Sequence, residues 1–175
     1  MVVGLIAGAL VLGAKFFLAQ EAGEVWATRD ARADFADYHV GECVVMPTTG
    51  AETTDDFRHS DCAVDPSYTI SAVYDSDKPC ASDDYAGFDW TVEDKTVVRF
   101  CMVENLVVDH CYQTNVDSQV IELIDCTAAD SGARKVVRRS DRVDTVTCPP
   151  GSAAFMYLTP PRTYCVAPAR PPAWS

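Results

Sequence analysis

The stretch Val40-Gly41-Glu42-Cys43-Val44 opens a pattern that returns at Val108-Asp109-His110-Cys111-Tyr112. The second cysteine of each copy follows an aspartate, in Asp61-Cys62 and Asp125-Cys126. The third cysteines stand beside a proline and the fourth lie in β-branched or aromatic runs: Pro79-Cys80, Cys148-Pro149, Val98-Arg99-Phe100-Cys101-Met102 and Arg162-Thr163-Tyr164-Cys165-Val166. Successive cysteines are 19, 18 and 21 residues apart in the first copy and 15, 22 and 17 in the second. Landmarks that recur in order indicate an internal duplication, which we place at 38–106 (repeat one) and 107–168 (repeat two).

The composition of the repeats favours strands over helices. Val97–Val103 and Val116–Ile124 are rich in β-branched residues and are bounded by residues that favour turns. Helical spacing of apolar residues appears once, over Val25–Tyr38, and predicts a helical stalk at 23–39. The predicted fold class is therefore mainly β, with small disulfide-stapled β-rich repeats and one N-terminal transmembrane α-helix.

The eight cysteines favour structural disulfides. None forms a Cys-x-x-Cys pair, which disfavours a zinc ribbon or a thioredoxin-like redox site. Paired cysteines in a repeat of about 65 residues are typical of an oxidising compartment and of domains too small for a core alone. Four cysteines allow three pairings. We expect the first to pair with the fourth and the second with the third, because the fourth lies in a strand that would close against the opening strand: Cys43–Cys101, Cys62–Cys80, Cys111–Cys165 and Cys126–Cys148.

The N-terminus reads as a membrane anchor. Met1–Ala19 carries one charged side chain, Lys15, and as a helix it would span about 28 Å, the thickness of a bilayer's hydrocarbon core. We assign 1–22 to a transmembrane anchor; a cleaved signal peptide is the alternative, although no basic residue precedes the apolar run. The cysteines predict that the C-terminal part lies on the extracytoplasmic side of the plasma membrane.

Small residues within the anchor suggest a partner. Gly4 and Gly8 form a Gly-x-x-x-Gly motif that Gly13 extends, and such spacing lets a second helix approach closely. The predicted partners are integral membrane proteins and membrane lipid, whereas the ordinary abundance of glycine in membrane spans is the plainer explanation. Residues 169–175 are proline-rich and predict an extended tail.

Charge is distributed unevenly over a chain of net charge −12. Repeat one carries fourteen acidic and four basic residues over 40–106, and repeat two carries seven and six over 107–168. Five bases of repeat two cluster in one predicted strand: Arg134, Lys135, Arg138, Arg139 and Arg142. This basic strand either docks on repeat one or on a separate acidic partner, or is simply a solvated, salt-bridged strand. The acidic balance disfavours nucleic acid as a partner.

No pattern in the chain predicts catalysis. The nucleophile-elbow, phosphate-loop, zincin and dinucleotide motifs are absent. Three scattered histidines, His39, His59 and His110, do not make a metal site, and acidic pairs such as Asp83-Asp84 read as solvated loops. We therefore expect no enzyme, no cofactor and no metal.

The same cysteine landmarks carry a family resemblance. The order Gly-acid-Cys-Val, Asp-Cys, a Tyr-bearing strand, a Pro-flanked Cys and an aromatic-Cys strand resembles the LppU-like and septum-formation-like domains of actinobacterial cell envelopes, here in two tandem copies. The resemblance implies an extracytoplasmic, disulfide-bonded domain without catalytic residues. The chain departs from that pattern at Asp109-His110, where repeat one has Gly41-Glu42, and in having no lipoprotein cysteine.

Two functions follow as expectations. The first is a non-catalytic accessory or scaffolding subunit of a respiratory, envelope or division complex on the extracytoplasmic face of an actinobacterial plasma membrane. The alternative is a free-standing envelope binding module that takes a sugar, lipid or peptide in a cleft between the repeats. Its aromatic site would include Tyr85, Phe88 and Trp90.

Overall fold

The structure, a computed structural model, describes residues 25–46, 57–115, 120–143 and 147–170. Within these ranges the chain forms a helix, α1 (25–34), and ten strands. The strands of repeat one are β1 (Cys43–Val45), β2 (Arg58–Ser60), β3 (Ser67–Tyr74), β4 (Ala86–Val92) and β5 (Lys95–Asn105). Those of repeat two are β6 (Cys111–Thr114), β7 (Ile121–Ile124), β8 (Arg134–Ser140), β9 (Ala153–Leu158) and β10 (Pro161–Pro168).

The two repeats build two five-stranded sheets with one topology. Their strand orders are β2-β1-β3-β5-β4 and β7-β6-β8-β10-β9, so each strand of the first sheet has a counterpart five numbers later in the second. The pairs β1–β2, β1–β3, β6–β7, β6–β8, β8–β10 and β9–β10 are antiparallel. The residue opposite Cys43 on β3 is Thr69, and the residue opposite Cys111 on β8 is Lys135. The mainly β fold and the duplication predicted from the cysteine landmarks are confirmed.

The opening turns of the repeats are alike down to single hydrogen bonds. The Gly41 amide donates to the Ile70 carbonyl, and the Asp109 amide donates to the Val136 carbonyl, both at 2.8 Å. Gly41 has φ 95° and Asp109 has φ 72°, a left-handed conformation that glycine adopts freely and that aspartate tolerates better than most residues. Asp109 therefore replaces glycine in the sequence without changing the turn.

The aspartate before each second cysteine closes a second shared turn. The Oδ1 atom of Asp61 accepts from the Ala63 amide at 2.9 Å, and that of Asp125 accepts from the Thr127 amide at 2.8 Å. A short carboxylate side chain that bonds the backbone two residues on is the ordinary chemistry of an Asx turn. Donation from the amide and hydroxyl of Thr127 lowers the pKa of Asp125.

The predicted disulfide pairing is wrong. The bonds are Cys43–Cys62, Cys80–Cys101, Cys111–Cys126 and Cys148–Cys165, with Cα–Cα distances of 5.1 to 5.6 Å. In both sheets a third strand, β3 or β8, lies between the strands that carry the first and fourth cysteines. Strands two positions apart are separated by roughly 10 Å, beyond the reach of a disulfide. All eight cysteines are nevertheless paired, as the sequence predicts.

The chain divides into two compact units that do not coincide with the repeats. One unit comprises the described residues up to Asp37 with Tyr74–Lys78 and Asp89–Arg99; the other comprises Tyr38–Val73, Pro79–Phe88 and the described residues from Phe100 onward. We call the first the stalk unit and the second the repeat unit. The repeat unit contains the four disulfides and most of the described residues of both repeats.

Within the stalk unit, α1 and the residue that follows it contact repeat one in β4 and directly after β3. Phe35 packs edge-on against Trp90 with ring centroids 5.6 Å apart, and Arg32 donates to the Asp75 carbonyl at 3.2 Å. Arg99 donates to Asp89 (2.6 Å from Nε) and to the Asp77 carbonyl (2.7 Å). In the described residues the helix predicted over Val25–Tyr38 covers 25–34, and it ends where the Ala36 amide bonds the Ala33 carbonyl in a tighter turn.

The remaining secondary-structure predictions have mixed outcomes. Val97–Val103 lies inside β5, as predicted. Of the second predicted strand, 120–124 is described, and Ile121–Ile124 forms β7. The transmembrane anchor predicted at 1–22 lies outside the described residues; among those described, no helix is long and apolar enough to cross a membrane.

Candidate functional site

Inside the repeat unit, the two repeats contact each other through hydrogen bonds of polar side chains. Tyr68 of repeat one accepts a hydrogen bond from the Ile121 amide at 3.0 Å. Its counterpart by register, Arg134 of repeat two, bonds Glu104 at 2.9 Å. The hydroxyl of Tyr164 accepts from the Leu106 amide at 3.0 Å and donates to the Glu104 carbonyl at 2.8 Å. Each of these bonds joins one repeat to the other or fixes the segment that connects them.

A buried polar network stands at the end of β5. The Asn105 amide group donates to Ser67 at 3.0 Å, and its Oδ1 atom accepts from Thr69 at 2.8 Å and from Arg162. Ser67, Thr69 and Asn105 are each no more than 6% exposed. Buried polar groups stabilise a fold only when their hydrogen bonds are made, so this network fixes one arrangement of β3, β5 and β10.

A cleft of about 340 Å³ opens between the repeats, and we call it the inter-repeat cleft. Repeat one contributes most of its lining and repeat two the rest: Met46, Asp83, Asp84, Tyr85, Ala86, Gly87 and Glu104, then Arg134, Phe155 and Tyr157. Its volume falls within the range of small-molecule sites, roughly 300–1,000 Å³. The lining mixes aromatic rings with charged groups of both signs, and it contains more carboxylates than bases.

Two tyrosines form one wall of the inter-repeat cleft. Their rings meet edge-to-face with centroids 5.3 Å apart, and Tyr85 is 8% and Tyr157 3% exposed. The Tyr85 hydroxyl accepts from the amides of Leu158 (3.1 Å) and Thr159 (3.3 Å), which fixes the hairpin that carries Tyr157. The Tyr157 hydroxyl makes no hydrogen bond to any part of the chain that the structure describes.

The Glu104–Arg134 ion pair lies in the same cleft. Arg134 Nη2 bonds both carboxylate oxygens of Glu104, at 2.9 and 3.3 Å. The Glu104 side chain is 12% exposed, and its burial raises the pKa of this carboxyl although Arg134 opposes the shift. The burial of Tyr157 and the nearby charge of Glu104 raise the pKa of the Tyr157 hydroxyl, which therefore stays protonated and able to donate a hydrogen bond.

The aromatic residues predicted for a cleft between the repeats are only partly in place. Tyr85 lines the cleft, whereas Phe88 stacks on Phe57 with ring centroids 4.5 Å apart and Trp90 packs against Phe35 in the stalk unit. The prediction is wrong for Phe88 and Trp90. Successive side chains of a strand point to opposite faces, so these two residues share one face, and it is opposite to the face of Tyr85. Glu104, Phe155 and Tyr157 carry no motif, and their position in the sequence does not single them out.

The residues of the basic strand bond partly to repeat two itself and partly to repeat one. Arg134 reaches Glu104 of repeat one, and Lys135 pairs with Asp109 at 2.8 Å, which lowers the pKa of that carboxyl. Arg139 bonds Asp141 (3.1 Å) and the Leu106 carbonyl (3.2 Å). Two members are exposed: among the described residues Arg138 makes one long contact of 3.5 Å to the Thr147 carbonyl, and Arg142, which lies beyond the end of β8, offers its own carbonyl to Thr163. A role for the exposed members in docking a separate partner stays a prediction.

The histidines occupy ordinary polar positions. His110 bonds Asp65 at 2.6 Å, and His59 stacks on Tyr38 with centroids 4.1 Å apart. Across residues 25–46, 57–115, 120–143 and 147–170, no three potential ligands are grouped to hold a metal ion. The helix-packing glycines Gly4, Gly8 and Gly13 lie outside these ranges, as does the tail beyond Arg170.

A larger groove of about 520 Å³ lies in the stalk unit, between α1 and the β4–β5 hairpin. Valines and basic residues line it: Val25, Val92, Val97, Arg29, Arg32 and Lys95. It lacks the combination of a buried ion pair and buried tyrosines that marks the inter-repeat cleft. The cleft is therefore the better candidate for a specific small-molecule site.

Comparison of the chain with protein-family models, with curated proteins and with solved structures gave no match. The resemblance to LppU-like and septum-formation-like domains accordingly stays a prediction. The fold and the site define the chain as a tandem pair of four-cysteine β-sheet repeats that enclose a polar, aromatic-walled cleft.

Proposed function

We propose that this chain is a non-catalytic binding module of the cell envelope that takes a small polar molecule in its inter-repeat cleft. The observation that carries the proposal is the buried Tyr157, whose hydroxyl lines a cleft beside an ion pair and makes no bond to the described chain. The ring is buried, whereas the hydroxyl oxygen keeps access to solvent, because Arg162 Nε is the side-chain polar atom that the described residues bury without a partner. A ligand atom in the cleft can replace the water that this hydroxyl would otherwise bond.

The envelope location is part of the same proposal. Four disulfides in the described part of the chain are typical of proteins that mature in an oxidising compartment. The apolar N-terminal run would hold the module at the outer face of the plasma membrane. A cysteine-rich module tethered beside the cell wall would meet sugars, peptides and lipid headgroups.

The lining of the cleft favours a polar ligand over a lipid chain. Four of the ten described residues that line it are charged, and an acyl chain would remove water from them without replacing their hydrogen bonds. A saccharide, an amine or a short peptide offers polar atoms to those groups and an apolar face to Tyr85, Phe155 and Tyr157.

Blocking the cleft tests the proposal. A Cβ added at Gly87 would meet nothing within 4 Å, and Gly87 is one of the residues that line the cleft, so Gly87→Phe would place a large ring at the lining without a clash with the backbone. Titration of the full-length chain with a panel of monosaccharides, amines and short peptides should show heats of binding for at least one probe. Gly87→Phe should abolish them, with an unchanged unfolding temperature.

Thr91→Phe is the matched control. Thr91 lies on the same strand, is exposed and does not line the cleft. It should bind the probe as the wild type does. Equal loss in both variants, equal binding in both, or no binding of any probe would overturn the proposal.

A second candidate, the accessory subunit of a membrane complex, is favoured by strand β9. Among the strands that the structure describes, β9 ends its sheet, and its outward residues Met156 and Leu158 are 49% and 68% exposed. An unpaired edge with an apolar face is suited to pair with an extended segment of another protein, here an extracytoplasmic strand of the membrane partner.

Purification from the native membrane in mild detergent tests this second function. A stoichiometric membrane protein should accompany the wild type and be lost from Met156→Lys/Leu158→Lys, since lysine blunts an edge strand. Thr91→Lys, on the other sheet's edge strand β4, should retain it. Recovery of the chain alone, or retention by all variants, would count against the accessory role of β9.

A further inference from the structure

The charges of the inter-repeat cleft restrict the ligands it accepts. Three carboxylates line it, those of Asp83, Asp84 and Glu104, against one guanidinium, that of Arg134. Because Arg134 is already bound to Glu104, the two exposed aspartates supply the charge that an incoming ligand meets. A cleft lined by one sign concentrates ions of the other, and the net charge of −12 on the whole chain acts in the same direction. Phosphates, sulfates and carboxylates are therefore disfavoured.

The aromatic wall favours the same kind of ligand. Tyr85, Tyr157 and Phe155 all line the cleft. The face of an aromatic ring carries negative charge density and attracts a cation within about 6 Å of its centroid. Exposed carboxylates and aromatic rings in one lining thus act together on a cation that also has an apolar surface.

The buried Tyr157 side chain provides an observation independent of the acidic residues. Tyr157 is 3% exposed and lines the cleft, and its hydroxyl has no partner among the residues that the structure describes. Burial raises its pKa, so it remains a hydrogen-bond donor. A metal cation is not suited to this position, because hard cations take several oxygen ligands at once and no such group is present in the described ranges.

We infer that the inter-repeat cleft binds an organic ammonium group, with Asp83 and Asp84 as its counter-charges, the rings of Tyr85 and Tyr157 against its alkyl carbons, and the Tyr157 hydroxyl bonding a neighbouring polar atom. The inference rests on the proposed binding function and names its ligand class. An amino sugar and the amine of a lipid headgroup share this chemistry, and the experiment separates them.

The experiment uses pairs of probes that differ only in charge. Choline is compared with its neutral carbon isostere, in which carbon replaces the quaternary nitrogen, and glucosamine is compared with glucose. Each is titrated calorimetrically into the full-length chain at a pH where the amine is protonated. We expect the charged member of at least one pair to bind about tenfold more tightly, a ratio that corresponds to about 1.4 kcal/mol. The preferred pair identifies the source of the ammonium group.

Two further measurements assign the effect to the cleft. Asp83→Asn/Asp84→Asn should weaken binding of the cation about tenfold and leave the neutral probe unaffected. Asp34→Asn/Asp37→Asn removes the same number of exposed carboxylates from positions outside the cleft and should change neither. Raising the salt concentration from 0.05 to about 0.5 M should weaken the cation alone, since salt screens exposed charges.

The outcomes separate this inference from the proposed function. Equal affinity for the charged and neutral members of both pairs, or equal loss in the two double variants, overturns the ammonium inference while a binding function of the cleft stands. If neither these probes nor the wider panel bind, both fall. Tighter binding of the cations, lost only in Asp83→Asn/Asp84→Asn, supports both.

Discussion

Repeat one and repeat two share strand order, opening turn, Asx turn and disulfide pattern, but they differ in the length of their last hairpin. Strand β5 has 11 residues and its counterpart β10 has 8. The additional length of repeat one belongs to the stalk unit, together with α1. The cysteines staple the other end of each sheet, so the hairpin tip is where one copy could be extended without altering the shared frame.

The repeats differ also in the edge strands that end their sheets. The outward residues of β4, Gly87, Asp89 and Thr91, are small or polar, and Asp89 is paired with Arg99. On β9 the corresponding face exposes Met156 and Leu158. A polar edge resists pairing with other chains and an apolar one invites it. Duplication therefore left one protected edge and one suited to a partner.

The largest expected effect comes from removing one disulfide in either repeat. Cys43→Ala/Cys62→Ala and Cys111→Ala/Cys126→Ala open loops of 19 and 15 residues and should each lower the free energy of unfolding by about 2–4 kcal/mol. Because both repeats share the repeat unit, each variant should unfold that unit in one transition, measured by chemical denaturation with near-ultraviolet circular dichroism.

Peptide mapping of the non-reduced protein provides the control for that prediction. The masses should show the first cysteine of each repeat joined to the second and the third to the fourth. Two separated transitions in either variant would contradict the shared unit, with one repeat unfolding while the other stays native.

A smaller loss of stability is expected when a single hydroxyl is removed so that repeat two matches repeat one. Tyr164 stands where repeat one has Phe100, and its hydroxyl bonds the Leu106 amide and the Glu104 carbonyl. Tyr164→Phe should therefore lower the free energy of unfolding by about 1–3 kcal/mol, because it leaves buried backbone groups without a partner. The reverse change, Phe100→Tyr, should not stabilise the protein, since Phe100 is wholly buried among aromatic rings. Stabilisation by Phe100→Tyr would contradict this contrast.

Protonation of Glu104 should make the contact between the repeats depend on pH. Its pKa is raised above the usual 4.5 by burial, so near and above that pH the native state binds the proton more tightly than the unfolded chain does. The contribution of Glu104 to stability therefore falls as pH rises from about 4.5 to the native pKa and is constant above it. The stability of the wild type minus that of Glu104→Gln, from urea unfolding at each pH, should decrease over this window. A difference that rises with pH would reverse the sign of the assigned shift.

The smallest effect should come from exchanging the opening turns. Asp109→Gly gives repeat two the residue of repeat one at a left-handed position, and it removes the exposed pair with Lys135 at the same time. These changes oppose each other, so the unfolding temperature should stay nearly constant. Asp109→Val should lower it, because a β-branched residue is poorly accommodated at positive φ. Equal melting of the valine and glycine variants would show that the turn is not constrained as described.

Much of the fold was predictable because its signals are local. The two repeats follow from short motifs around each cysteine, and the Asp-Cys landmark corresponds to an Asx turn that needs only three consecutive residues. Helix α1 follows from the spacing of Ala31 and Phe35, both buried. The disulfide pairing was not predictable, since it depends on β3 and β8 entering their sheets between the first and last strands.

The candidate site was less predictable than the fold. Tyr85 was expected in a cleft between the repeats and lies there, but Phe88 and Trp90 pack inside their own units. Glu104 and Tyr157 stand in strands that read as ordinary β-sheet. Glu104 and Tyr157 become cleft residues because the two repeats pack against each other, which their sequence positions do not indicate.

The sequence by itself determined the duplication, the strand-rich class, the local turns and the fact that every cysteine forms a disulfide. These features depend on propensities, on cysteine number and on residues close along the chain. The tertiary structure decided which cysteines pair, which aromatic residues reach the cleft and which carboxylate is buried against Arg134. Those outcomes depend on strand order and on contacts between residues tens of positions apart. No local pattern encodes such contacts, since burial and packing of the whole chain select them.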